Sequence, residues 1–368
     1  MEFIDWTWNY IIVFLFVLSV LIFVHEWGHY WVARRNNVRV EVFSIGFGPE
    51  VYGWTNEAGT RWKIGLIPLG GYVKMFGEND SREDDEDELI ELTDEEKAVS
   101  FHHKTLGQRA AIVAAGPIVN FLFAIIAFAG LAIFHGNPVP LSVVGEIIPG
   151  SAAAEAEFQS GDVIVAIDSR EVETFEELRQ VVIANPERQL VFDVQRDGKI
   201  FKIIATPKTA LGRDGEPQNI GQLGVRPHLD HLRYDRTDPF TAIWVGTERT
   251  FVLTYRILVY VGEMISGQRN ADDLGGPLRI AKISGDMAQL GLSQVILLMA
   301  MLSVNLGLIN LFPIPMLDGG HLAFYLAEAV RGRPLGPKAQ EYGFRFGLIL
   351  VLILFVFVTW NDIVFLLE

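Results

Sequence analysis

Residues 21–35, LIFVHEWGHYWVARR, close the first apolar run of the chain and set two histidines and a glutamate into its last turns. The residues before them, WTWNYIIVFLFVLSV (6–20), carry no charged side chain and read as a helix facing hydrocarbon. Ionisable groups in such a helix are costly and are kept for function. His25, Glu26 and His29 form H-E-x-x-H. On a helix, residues four apart differ by about 40° in azimuth, so both imidazoles reach one metal ion. Glu26 is offset by one residue and stands beside a water on that ion rather than on the ion itself. The structural alternative is a pair of histidines bonding between helices, with the glutamate as their partner.

Composition narrows the metal and the partners. The chain has 368 residues, 50% of them hydrophobic, and no cysteine, so thiolate sites and disulfides are excluded. A metal site must be built from His, Asp and Glu, and zinc, redox-inert and content with His₂-carboxylate plus water, fits. The net charge of −15 argues against nucleic acid as a partner, because phosphate binding needs a basic surface. Positive mean hydropathy points to membrane segments joined to a water-soluble part.

Four runs are long enough to span a bilayer, which takes about 20 residues. They are Trp8 to Ala33, Ala110 to Phe134, a third that ends at Pro313 and Pro315, and a fourth expected to stop at Asn361 and Asp362. The first lacks a basic leader and a small-residue cleavage site, so it reads as an anchor and not a cleaved signal. Arg34, Arg35, Arg39, Lys104 and Arg109 flank the first connection, and Arg331, Arg333, Lys338 and Arg345 the last. Both connections are therefore expected in the cytoplasm, with both termini and the long central connection outside. The acidic run SREDDEDELIELTDEE (81–96) reads as a solvated loop.

The expected architecture is a multi-pass α-helical membrane protein with four transmembrane helices, an inserted β-rich domain and a small membrane-associated β-hairpin. Residues 1–138 form an N-terminal membrane core and 292–368 a C-terminal one. Residues 139–229 alternate as strands, with a hairpin turn at Asp197-Gly198 and a capped helix at TFEELRQVVIAN. The pattern VVGEIIPGSAAAEAEFQSGDVIVAIDSREV resembles PDZ domains of bacterial envelope proteases. In 230–291, Arg249, Arg256 and Glu263 share one helical face, and Trp244, Tyr255 and Tyr260 are amphipathic; a helix on the membrane surface is expected, with a fifth span as the alternative.

A catalytic zinc site needs a third protein ligand. The third helix runs inward like the first, and NLFPIPMLDGGHL stands just past its end. Asp318 falls at the depth of His25, on a segment that prolines free from helix geometry; His321 is nearby and competes for the role. Asp362 lies at the outer end of the fourth helix, and Glu248 and Glu263 belong to the external segment.

Taken together, HEWGH, the GFGP at 46–49, IPLGGYVKMFGE, QRAAIVAAGPIVNF and SVNLGLINLFPIPMLDGGHL resemble the site-2 protease family of intramembrane zinc metalloproteases, nearest the branch of the bacterial regulator of sigma-E protease. The resemblance runs along almost the whole chain. It implies that His25, His29 and Asp318 bind zinc, that Glu26 is the catalytic base, and that single-span proteins of the bacterial inner membrane are cut in or near their membrane segment. Trimmed anti-sigma factors and signal-peptide remnants are the substrates it suggests. The chain departs from that branch in having one PDZ-like stretch where two in tandem are usual.

Several residues are candidates for holding substrate. RWKIGLIPLGGYVKM (61–75) reads as two short strands about a Pro-Leu-Gly-Gly turn, expected to dip into the membrane and offer an edge as the family's re-entrant β-loop does, with a plain cytoplasmic hairpin as the alternative; Leu66, Gly70 and Gly71 lie on it. Asn120, Asn305 and Asn310 are polar at membrane depth; Asn310 is placed to hold extended substrate backbone, with bonding between helices as the alternative, and Asn120 is a second candidate. Gly116-Pro117 reads as a packing kink. Two other function classes remain open: an inactive, zinc-stabilised membrane chaperone, against which the intact Glu26 counts, and an ion transporter, against which the missing internal repeat counts.

Overall fold

The apolar run carrying H-E-x-x-H is one continuous helix in the computed structural model of the chain, α1 (Glu2–Arg35). The structure describes residues 2–77, 92–211, 217–228, 230–270 and 274–367. The chain folds as two compact units, one of Met1–Leu131 with Pro239–Glu368 and one of Ala132–Asp238.

After α1 come two long strands, β1 (Val40–Thr55) and β2 (Arg61–Met75). The stretch 61–75, expected as two strands about a turn at Pro68–Gly71, is instead a single bent strand. The chain reverses at 56–60, where Asn56 Oδ1 accepts from the N–H groups of Ala58 and Thr60. Residues 71–75 lie opposite 40–45, residues 61–65 lie opposite 50–55, and 42–45 also face 61–64. The two strands thus fold back into a sheet of four segments. The bends fall at glycines: Gly46 has φ 90° and packs on the carbonyls of Gly65 and Ile67, and Gly70 has φ 138° against the Phe47 ring. Val40, Phe43, Val73 and Met75 are buried against Ala33, Phe101 and Ile112. Phe47, Val51, Tyr52, Trp54, Leu66 and Ile67 are exposed. Most of the acidic run lies outside the described residues; its end forms α2 (Asp94–Val99), opened by a Thr93/Glu96 capping box. Helix α3 (Leu106–Phe134) follows.

In the unit Ala132–Asp238, β3 (Asn137–Pro140) pairs with β12 (Leu232–Asp235), which extends the unit beyond the expected 139–229 at both ends. Strand β4 (Val144–Ile147) pairs with β11 (Val225–Pro227), and β9 (Lys208–Leu211) with β10 (Pro217–Gln222). Between them lie helix α4 (Ala152–Glu155) and a four-stranded sheet, with β6 (Arg170–Glu171), β5 (Val163–Ile167), β7 (Leu190–Arg196) and β8 (Lys199–Ala205) in that order. Asp197 and Gly198, both at positive φ, turn β7 into β8. Helix α5 (Phe175–Ile183) begins with the Thr174/Glu177 box. The backbone N–H groups of Glu173 and Thr174 hold the Glu177 carboxyl below its ordinary range. Ile164, Ile167, Leu178, Leu190, Phe192 and Val194 fill the core.

The first unit resumes with α6 (Pro239–Ile265), α7 (Pro277–Gln289), α8 (Leu292–Asn310), α9 (Asp318–Arg331) and α10 (Pro337–Leu367). Among the described residues, α1, α3, α8 and α10 are long and apolar enough to cross a membrane. Val17 and Leu21 of α1 pack on Val295 and Met299 of α8, and Ala124 and Phe128 of α3 on Ala300 and Val304. Helix α6 was expected to lie at the membrane surface. It packs along α3 and α8: Ala242, Gly246 and Thr250 are buried, Gly246 abuts the Ile125 carbonyl, and Leu253 and Ile257 join the α3–α8 cluster. Small residues four apart form a flat strip that lets backbones approach. Phe240, Trp244, Phe251 and Tyr255 face outward, exposed.

Helix α10 does not stop at Asn361 and Asp362. Both are buried, and the Asp362 carboxylate accepts from the N–H groups of Gly276 (2.7 Å), Leu278 (2.9 Å) and Arg279 (3.2 Å). Bonding to the start of α7 removes the cost of burying the Asp362 carboxylate, so the helix continues past it.

Candidate metal centre

Both histidines of H-E-x-x-H point from α1 to one spot, their rings 4.9 Å apart and their Nε2 atoms 3.3 Å apart. Close approach of α3 makes this possible. Gly28 of α1 rests on the Ala115 carbonyl, and a Cβ at Gly116 would overlap His29 Nε2 and crowd the His25 ring. Gly116, read from the sequence as a packing kink, is therefore part of the histidines' own cradle.

Asp318 arrives from the other side. Met316, at φ 94°, turns the Pro-rich segment, and Asp318 is the first residue of α9. A Cβ at Gly319 would overlap the carbonyls of Leu311 and Phe312, and one at Gly320 the Ile314 carbonyl, so the Gly-Gly pair seats α9 tightly on the segment before it. Asp318 Oδ2 stands 3.2 Å from His25 Nε2 and 3.5 Å from His29 Nε2. It is buried and has no hydrogen-bond partner among the described residues.

These distances fit a zinc ion. Ligands about 2.0–2.1 Å from zinc at tetrahedral angles lie about 3.3 Å from one another. Among the described residues, His25, His29 and Asp318 are the group whose donor atoms converge in this way. His321, the competing third ligand, packs instead on the Phe344 ring at 5.4 Å and is outside the cluster. Glu26 is 9% exposed, and Gly71 of β2 lies against its Cγ. The sheet therefore borders the glutamate, bringing Gly71 to the centre and leaving Leu66 on the exposed apolar side.

Asn120 is fully buried, with its amide 3.0 Å from His25 Nδ1. Asn310 closes α8, half-buried, just before the carbonyls that seat Gly319. Two supporting contacts went unread in the sequence: the Ile112 carbonyl, 2.9 Å from His29 Nδ1, and Ser303, whose hydroxyl donates to the Asn120 carbonyl at 2.9 Å. A backbone carbonyl has no residue-type signal, and Ser303 looks like any small residue at a helix contact.

Comparison with known proteins places this geometry. The family model for peptidase family M50 matches residues 13–354. A protein of Agrobacterium fabrum named as a zinc metalloprotease is 46% identical over 363 residues, covering 96% of each chain. One of Rhizobium meliloti with the same description is 43% identical, covering 95% of each. Metalloprotease MmpA of Caulobacter vibrioides is 38% identical, covering 95% of this chain and 94% of its own. Among solved structures, the PDZ domain of an SdrC-like protein from Listeria innocua matches 25% of this chain and 94% of that one, at 17% identity and a TM-score of 0.19; nothing here rests on that likeness. The chain belongs to peptidase family M50, the site-2 protease family, and is a zinc-dependent metalloprotease.

Proposed function

We propose that the protein hydrolyses peptide bonds in or near the membrane segments of single-span membrane proteins, with His25, His29 and Asp318 holding zinc and Glu26 carrying the proton. The observation behind this reading is the convergence of three ligand atoms, 3.2 to 3.5 Å apart, among helices apolar enough to cross a membrane. When bound, zinc supplies Lewis acidity that polarises the scissile carbonyl and brings a water's pKa to roughly 7. Glu26 takes that water's proton and delivers it to the leaving amine. At the start of α9, Asp318 gains further from the positive end of the helix dipole.

A helical substrate hides its carbonyls in hydrogen bonds, so it must be extended before it is cut. Segment 71–75 pairs with residues 40–45 of β1 and borders Glu26 at Gly71. We place strand addition along this sheet, with Gly71 beside Glu26 and Leu66 on its exposed apolar part. Leu66 and its exposed apolar neighbours seat the sheet in the membrane from within, Gly70 sets its bend, and Asn310 holds extended substrate backbone. By the Lys/Arg distribution both termini and the unit 132–238 are periplasmic, with the site near the cytoplasmic side of the bacterial inner membrane. That unit acts as a PDZ-type gate that inspects or excludes substrate, and trimmed anti-sigma factors and signal-peptide remnants are the substrates the family resemblance favours.

The test uses the purified full chain in lipid nanodiscs with a single-span reporter. Cleavage inside the reporter's membrane segment, stopped by a chelator and restored by zinc, is expected. Zinc-dependent cleavage of soluble peptides with the reporter left intact would overturn the intramembrane reading. Zinc binding with no cleavage of either would favour the chaperone.

A further inference from the structure

The two histidines reach the cluster through Nε2, so each must carry its ring proton on Nδ1 for that nitrogen to offer a lone pair. For His29 the choice is imposed from outside: Nδ1 lies 2.9 Å from the Ile112 carbonyl, which only accepts. His25 has no carbonyl there. Its Nδ1 stands 3.0 Å from the side-chain amide of Asn120, which lies with its nitrogen toward the ring and Oδ1 buried without a partner among the described residues. In that orientation the amide donates to Nδ1 and the ring proton moves to Nε2, where it points into the cluster. The two ends of an amide are nearly the same shape, so its orientation is decided by the bonds it makes. Either orientation leaves one end of this amide without a partner, and the decision therefore falls to the ring.

We propose that Asn120 is a positioning residue that accepts a hydrogen bond from His25 Nδ1 through Oδ1, fixing the tautomer in which His25 Nε2 is a ligand. This rests on the reading of His25, His29 and Asp318 as the zinc site. The residue is well placed for the task. It is completely buried, Ser303 of α8 donates to its backbone carbonyl, and Gly307 of α8 lies against its Cβ. α8 thus holds the turn of α3 that orients a ligand on α1. Partners of this kind are worth about 10–100-fold in metal affinity.

The test compares zinc affinity, by chelator competition on the full chain in detergent, for wild type, Asn120→Ala, Asn120→Asp and His25→Ala. Helical content and monodispersity confirm folding. Asn120→Ala is expected to bind zinc about 10–100-fold more weakly. Asn120→Asp keeps the acceptor and cannot donate, so its affinity is expected to equal or exceed that of wild type. Wild-type affinity in Asn120→Ala, or an equal loss in Asn120→Asp, would overturn the proposal. If Asn120→Ala does not fold, Asn120→Ser, whose hydroxyl is shorter, takes its place under the same criteria. His25→Ala separates the two levels: zinc retained there refutes the ligand assignment itself, whereas zinc lost there but kept in Asn120→Ala refutes only the role of Asn120.

Discussion

At the scale of single residues the centre depends on an absence, the missing side chain of Gly116. Gly116→Ala puts a methyl group where His29 Nε2 lies. In an exposed helix interior the same change would stabilise by about 1 kcal/mol through helix propensity. Here it is expected to weaken zinc binding at least tenfold while helical content stays unchanged, measured by chelator competition and circular dichroism; unaltered affinity would mean that the histidines do not sit against α3. The convergence of His25, His29 and Asp318 was legible because ionisable side chains stand out in an apolar helix and because depth and a proline break single out Asp318. The direction of Asn120 was not legible: position along a helix gives the depth of a side chain but not the direction in which it faces, and Asn120 faces His25.

At the scale of elements, α7 owes its start to another helix. Its own N-cap, Gly276, has no side chain, and Asp362 of α10 serves three N–H groups in its place. Arg279 adds a stack on Phe365 at 4.1 Å, and at the far end of α7 Tyr10 of α1 donates to Asp286 and accepts from Gln289, each at 2.7 Å. Helix α7 therefore ties the first membrane helix to the last. Asp362→Ala leaves those donors without their acceptor and is expected to cost about 1–3 kcal/mol. A lowered midpoint of thermal unfolding in detergent is the expected result, and a midpoint equal to wild type would contradict it. From sequence, Asn361 and Asp362 read as the end of a span, because a polar pair after an apolar run carries no mark of a partner more than 80 residues away. The bent strand β2 was hidden similarly: Pro-Leu-Gly-Gly is good turn chemistry, and only the pairing of 71–75 with 40–45 shows that the chain passes through it as a bend.

At the scale of the whole molecule, the four long apolar helices were legible because length and apolarity suffice to name them. The packing of α6 was not, since it mixes charged residues with a strip of small ones that has meaning only against α3 and α8. The side of the membrane on which each segment lies is carried by the Lys/Arg distribution, and the absence of cysteine makes that testable one position at a time. Ser81, in the connection expected in the cytoplasm, lies outside the described residues; Ala98 and Ser169 are described and exposed. An impermeant thiol reagent applied to cells with permeabilised outer membranes is expected to label Ser169→Cys and spare Ala98→Cys, and the reverse pattern would invert the topology. The central claim is chemical: three side chains hold zinc and a fourth moves the proton. The most direct measurement is zinc content and reporter cleavage on the same preparations of wild type, Asp318→Ala and Glu26→Gln. The account predicts that Asp318→Ala loses both zinc and cleavage, whereas Glu26→Gln keeps a full complement of zinc, retains bound reporter and cuts none of it; full zinc with undiminished cleavage in Glu26→Gln would contradict it.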